Sequence, residues 1–242
     1  MCTVFRTTVL KADDTDREPR MKLTMLAVEA SDGAVVPPEI PFRWLAHHVR
    51  EVLLALLSKG LDVDGSGKIQ VTCGPKGEDV QYQQMLGTSN YFVEDFDFAQ
   101  FSALTGESRD NYLLDIIQNS LIDMALRSGA SPTVERAIKE TADVVRAHDF
   151  SLKLRIPKLC KSSPSRRAKA EVFRCLNRVD GEAWCLQVTT KGVAEPSTTW
   201  LTERPHYVDM TGYFKKAEWS GERYLLRNRL GKVVHEYTLG LE

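Results

Sequence analysis

The chain has 242 residues, with 43% hydrophobic and 27% charged residues and a formal net charge of −1. This composition excludes a mainly disordered, collagen-like or coiled-coil chain and suits one large domain or two small ones. No run approaches the ~18 consecutive apolar residues of a membrane-spanning helix, and the start, MCTVFRTTVLKADD, lacks the basic and apolar regions of a secretory signal. The near-zero charge hides a split. Residues 1–150 carry 15 Lys+Arg against 23 Asp+Glu, and residues 151–242 carry 17 against 10.

The N-terminal segment predicts a strand over 3–10, a polar loop over 11–20 and a strand over 21–30 with apolar residues at both parities, as in a strand buried on two faces. A turn-rich stretch, SDGAVVPPEIP, leads to a helix over 42–59, where Phe42, Leu45, Ala46, Val49, Val52, Leu53, Leu56 and Leu57 recur at helical steps. Gly60 supplies its stop. A strand over 68–73 and another over 80–86 follow, separated by the turn GPKGED. Ser108 caps a helix to about residue 127, with Leu113, Leu114, Ile117, Leu121, Met124 and Ala125 on one face. Ser131 caps the next helix, with Pro132 at its first position, and the short link makes the two helices antiparallel neighbours.

From residue 150 the pattern changes to short alternating runs, read as strands near 150–156, 170–176, 183–190, 198–203, 207–214, 222–227 and 232–238. The polar, basic run KSSPSRRAKA at 161–170 is the candidate for a mobile loop. The fold class is α+β: a mixed N-terminal region with three main helices packed on short strands, then a C-terminal antiparallel sheet or open barrel. The division falls at 150, between an acidic 1–150 and a basic 151–242 that form two domains or one continuous domain.

The five cysteines, Cys2, Cys73, Cys160, Cys175 and Cys185, are odd in number and show no C-x-x-C spacing. They read as reduced thiols, with Cys175 and Cys185 as small strand hydrophobes, and a Cys160, Cys175 or Cys185 contact with His206 or His235 stays open. Nucleophile elbows, zinc-helix motifs and phosphate loops are missing, and no cofactor is implied. Asp95 and Asp97 fall on one side of a predicted strand, a pair that a glycosidase or metal nuclease could use; with no partner acids or lysine at motif spacing they read as a solvated edge. The segment from Asp62 to Ile69 resembles the calcium loop of EF-hand proteins, with Asp62, Asp64 and Ser66 at its first, third and fifth positions. Cys73 stands where the bidentate Glu belongs, so the same residues also read as an Asp- and Gly-rich turn.

Nine basic residues fall within 151–178, opposed only by Glu171. Such a run attracts an acidic partner, docks on the chain's own acidic half, or is solvated. Near the C-terminus Tyr207, Tyr213, Phe214, Trp219 and Tyr224 interleave with Lys215, Lys216, Arg223, Arg227, Arg229 and Lys232. A β-surface of this kind serves a protein hot spot or stacks bases and holds phosphates. The candidate contact residues are Arg166, Arg167, Lys169, Lys215, Lys216 and Trp219, combining charge steering with one aromatic anchor.

The layout of residues 92–238 is similar to that of some bacterial immunity proteins, which neutralise polymorphic or contact-dependent toxins. The residues that carry it are Phe96, Phe98, Phe101, Leu104, Leu113, Leu114, Phe150, Arg167, Lys169, Ala170, Val172, Trp219 and Gly231. The resemblance implies a cytoplasmic, non-catalytic protein that binds one cognate protein partner, a toxin. The basic stretch departs from the acidic surfaces by which such proteins often mimic nucleic acid, and suits an acidic toxin face. The alternatives are a nucleic-acid-binding module on the basic, aromatic C-terminal β-surface and an enzyme without a recognisable motif.

Overall fold

The computed structural model describes residues 21–36, 41–57 and 60–240. The strand expected over 3–10, the loop over 11–20 and Cys2 lie outside the described residues. The chain is α+β, with antiparallel sheets in its C-terminal region.

The first sheet contains β1 (Met25–Ala30), β2 (Lys68–Cys73), β3 (Tyr82–Met85) and β4 (Thr88–Val93) in the order β1-β2-β4-β3. β1, β2 and β4 are parallel, and β3 closes one edge antiparallel to β4. Alternation puts Leu26, Val28, Ile69, Val71 and Tyr91 on one face, where the helices cover them. The predicted 42–59 helix is two pieces, α1 (Phe42–Leu45) and α2 (His47–Leu56), joined at Ala46. The helix expected from Ser108 begins earlier, as α4 (Gly106–Arg127). In α5 (Pro132–Ala147) Ser131 caps as expected, its hydroxyl accepting from the Thr133 N–H, with Pro132 in the first turn.

Two elements depart from the sequence reading between 86 and 103. Residues 86–87 form a tight hairpin turn, both with positive φ (49° and 74°), so β3 pairs directly with β4. The Asp95–Asp97 stretch is not a strand edge. Residues 94–95 are a turn, and Asp97 caps a short helix, α3 (Phe98–Ala103), by accepting from the Gln100 N–H at 2.9 Å. The ring of Phe42 packs edge-on against Phe96, Phe98 and Phe101 at 5.2–5.3 Å, and Phe96 lies tilted against Phe98 and Phe101 at 4.6 and 5.6 Å, which turns the aromatic run inward.

The second sheet is built on a long hairpin, β7 (Ala168–Asn177) and β8 (Gly181–Thr190), flanked by β5 (Leu152–Arg155), β6 (Lys161–Ser162) and β9 (Ser197–Trp200). The third sheet is a meander of β10 (Phe214–Ser220), β11 (Arg223–Asn228) and β12 (Val233–Thr238). The strand expected over 207–214 starts only at Phe214 and runs to Ser220. The preceding residues are used for bridging instead: the His206 carbonyl accepts from Glu182 N–H at 2.6 Å, and Tyr207 stacks on Trp44 at 5.2 Å.

Buried apolar residues fall into two clusters. One fills the space between the first sheet and α2, α4 and α5, and besides Phe150 it receives Leu152, Leu154 and Leu176 from beyond residue 150. The other lies between the inner face of β7 and β8 (Ala170, Val172, Trp184, Leu186, Val188) and the third sheet (Phe214, Ala217, Tyr224, Leu226). One face of the five-stranded sheet is thus covered twice, by α2 at one end and by the meander at the other. Among the described residues no helix or further sheet covers its opposite face, although Cys175, Ala183 and Cys185 on that face are buried.

Candidate functional site

The charge split has a structural use. Where α2 meets β7 and β8, Arg50, Glu51, Arg174 and Glu182 alternate in sign around His47. Arg174 donates to Glu51 and to Glu182, both at 2.6 Å, and Arg50 pairs with Glu51 at 2.8 Å. Arg50 also approaches His47 Nδ1 at 2.9 Å. A guanidinium only donates, so Nδ1 is the acceptor, and the proton sits on Nε2, which donates to Glu182 at 2.8 Å. Burial opposes ionisation of Glu182, but the bonds from His47 and Arg174, the Arg174 charge and the Trp184 N–H outweigh it and hold its pKa at about 2. Burial likewise opposes the Arg174 charge, and the two carboxylates overcome it and raise its pKa.

A second bridge runs beside the first. Arg178 donates to buried Asp110 at 2.7 Å and approaches Asp149 at 3.3 Å, and His48 Nε2 lies 3.1 Å from Asp110, out of line for a hydrogen bond. So part of the basic run docks on the acidic half of the same chain. Glu182 is fully buried and His47 is 3% exposed, so this cluster of acid, base and imidazole is closed to a substrate and serves as an internal clamp.

The bare face of the five-stranded sheet carries a different arrangement. Arg155, Phe173, Cys185 and Trp200 are directly opposite one another on β5, β7, β8 and β9. Residues paired in this way point to one side, so they form a row across four strands. Lys153 Nζ sits 4.4 Å above the Phe173 ring, and the Arg204 guanidinium sits 4.0 Å above Trp200, which is 37% exposed. Glu171 accepts from Arg155 at 2.6 Å and from Lys169 at 2.8 Å, so it spaces two cations along the face, and Lys169 and Arg155 in turn lower its pKa. Asp180 anchors Arg204 at 2.6 Å.

Cys185 of this row and Cys175, on the same face of the neighbouring strand, lie 3.8 Å apart, sulfur to sulfur. The shared S–H bond, with Lys153 and Arg204 nearby, overcomes burial and brings Cys185 down to about 7, while the same bond and burial push Cys175 up. Neither thiol is joined to His206 or His235. The buried Nε2 atoms of both imidazoles have no partner among the described residues, and burial lowers the His235 pKa.

The six contact residues expected from the sequence do not come together. Lys169 lies on the bare face, on the side of Phe173 and Glu171. Arg166, with φ of 55°, and Arg167 are exposed in the turn that enters β7. Lys215 and Lys216 are on the meander, on the far side of the second cluster, and Lys216 is paired with Glu218 at 2.6 Å. Trp219 has the opposite parity to Lys216. It packs against the second cluster and donates to the Lys161 carbonyl at 3.0 Å, so it is no protruding anchor. The aromatic residues of the bare face, Phe173 and Trp200, escaped the sequence reading. The alternation Lys169, Glu171, Phe173 against Ala170, Val172 was the signal for Phe173, and nothing comparable marked Trp200.

The EF-hand-like segment is also turned inward. Asp64 is buried, and its carboxylate accepts from Ser66 N–H (2.9 Å), Tyr82 O–H (3.0 Å) and Ser89 O–H (2.5 Å). Ser66 is fully buried against Ser89 and Gln84, and Asp62 accepts from Gly65 N–H at 2.7 Å. The loop is a turn tied to β3 and β4. Among the described residues no group of three or more His, Cys, Asp or Glu is placed to hold a metal ion, and no helix is long and apolar enough to cross a membrane.

Comparison with family models, curated proteins and solved structures finds no match, so the reading of function rests on the geometry of these surfaces.

Proposed function

We propose that the chain is a binding protein that captures an acidic protein partner on the bare face of its five-stranded sheet. The observation that carries this reading is the row Arg155–Phe173–Cys185–Trp200 with its flanking cations. Trp, Tyr and Arg dominate protein hot spots, and an anchor is strongest where neighbouring groups exclude water. Trp200 under Arg204 and Phe173 under Lys153 offer apolar bodies fringed with fixed positive charge. Base stacking is the less favoured use, because each ring already carries a cation over one face and Glu171 interrupts the cationic row. The immunity-type layout makes a toxin the specific partner class.

The test immobilises the full chain and two variants, Trp200→Ala and Arg155→Glu, in cell extract at about 0.1 M and about 0.5 M salt. An acidic protein retained by the wild type at both salts, and lost by Trp200→Ala at an unchanged thermal midpoint, supports the reading. A protein retained equally by all three chains overturns the assigned face. Nucleic acid that is bound at low salt and released at high salt replaces the protein partner, because phosphate contacts weaken steeply with salt.

A further inference from the structure

Cys175 and Cys185 are in sulfur-to-sulfur contact, and partner capture makes no use of their chemistry. Register places them on a diagonal. Cys175 is opposite Ala183, and Cys185, two residues further along β8, is opposite Phe173. Diagonal positions are ~7–8 Å apart along the ladder, so the side chains themselves, pointing at each other, close the gap to 3.8 Å. The other described cysteines are placed differently. Cys73 is fully buried in the first sheet, and burial pushes its thiol up to about 12. Cys160 donates its S–H to the Ile156 carbonyl at 3.2 Å.

The pair is buried, but among the described residues no helix or sheet lies over it. Its neighbours across the face are Lys153, Phe173 and Trp200, with Arg204 resting on the Trp200 ring. Lys153 and Arg204 are exposed. Exposed side chains change rotamer within picoseconds to nanoseconds. A molecule as small as hydrogen peroxide therefore reaches the sulfurs without any opening of the sheet.

The two thiols are unequal. The bond from the Cys175 S–H, and then the charges of Lys153 and Arg204, favour Cys185 as the thiolate, whereas Cys175 keeps its proton. An attacking thiolate beside a protonated resolving thiol is the arrangement that peroxide oxidation requires.

We propose that Cys175 and Cys185 form a modification site, which a small hydroperoxide oxidises to an intrachain disulfide and a thiol reductant restores. In the first step the Cys185 thiolate attacks one peroxide oxygen and the O–O bond breaks. Cys185 becomes a sulfenic acid, and the departing hydroxide takes up the proton that Cys185 lost on ionising, giving water. In the second step the Cys175 sulfur displaces the sulfenic hydroxyl, which leaves as water with the Cys175 proton as the S–S bond forms. Two electrons pass from the sulfurs to the peroxide, so two thiols and one peroxide give one disulfide and two waters. A bond on the diagonal draws β7 and β8 together, and disulfides held off their preferred geometry are readily reduced again.

The test exposes the reduced full chain, with no partner present, to ~0.1 mM hydrogen peroxide at about pH 7, followed by alkylation and tryptic mass mapping. Cleavage after Arg174, Arg178 and Lys191 puts Cys175 in residues 175–178 and Cys185 in residues 179–191. The expected result is these two peptides joined, and separated again by dithiothreitol. Cys175→Ser should leave Cys185 as a sulfenic acid that dimedone traps, and Cys185→Ser should leave Cys175 a free thiol. A pair that stays reduced in the folded chain, a bond to another cysteine, or thiols that dithiothreitol does not restore overturns the proposal. These readouts need no partner, so they succeed or fail independently of the partner face.

Discussion

Replacing Glu182 by Gln removes one charge and changes no volume, yet it should be among the most damaging polar substitutions in the chain. The carboxylate only accepts: Oε1 from Trp184 Nε1 at 3.1 Å, and Oε2 from His47 and Arg174 at 2.8 and 2.6 Å. A glutamine amide has one acceptor and one donor end. One orientation points its NH2 at the Trp184 N–H, and the other points it at the His47 N–H and the Arg174 guanidinium. Either leaves a buried donor without a partner. The site's own titration supplies a magnitude. Glu182 has a folded pKa of about 2 against an ordinary 4.5, a gap equivalent to about 3 kcal/mol. The sign follows from linkage: a depressed carboxylate stabilises the fold fully above about pH 4.5, and that contribution is lost as pH falls toward 2. Urea unfolding should therefore place Glu182→Gln about 3 kcal/mol below the wild type at pH 7, with the gap narrowing to about 1 kcal/mol at pH 3. A variant within about 0.5 kcal/mol of the wild type at pH 7, or a gap that is constant between pH 7 and pH 3, refutes the clamp.

Other substitutions separate the remaining claims. Gly181→Ala should destabilise the chain by more than about 1 kcal/mol in urea unfolding, because φ is +64° and a Cβ would meet the His206 carbonyl at 2.4 Å. Asp64→Asn should lower stability by about 2 kcal/mol, since one end of the amide opposes hydroxyl and N–H donors. Millimolar calcium should leave the wild-type thermal midpoint in place, because that carboxylate is already engaged within the fold; a rise on adding calcium would restore the EF-hand-like reading. Trp219→Phe should cost about 1 kcal/mol through the lost bond to the Lys161 carbonyl and leave partner capture unchanged, in contrast to Trp200→Ala.

The local elements were legible where one residue type has one physical use. The Ser131-Pro132 start of α5, the apolar stripe of α4 and the turn-separated strands after residue 150 follow from capping, helical periodicity and alternation. β4 was not legible, because its TSN start reads as polar loop. Ser89 is fully buried there only because Asp64 and Ser66 supply partners from a distant turn. The same long-range satisfaction hid the meaning of His47 on α2, which finds its carboxylate at 182, while His48 beside it comes within 3.1 Å of Asp110 without a hydrogen bond.

Composition and periodicity by themselves determined the α+β class, the bodies of α2, α4 and α5 and the opposed charges of the two halves. Which charges face each other was a tertiary decision. Arg174 and Arg178 were spent on bridging the halves, Glu218 neutralised Lys216 on the meander, and Trp219 turned inward. Only the pairing register of β5, β7, β8 and β9 brought Arg155, Phe173 and Trp200 into one row. A sequence states the parity of each strand. It does not state which strands lie side by side or which face is left bare, because long-range packing selects the neighbours and the cover.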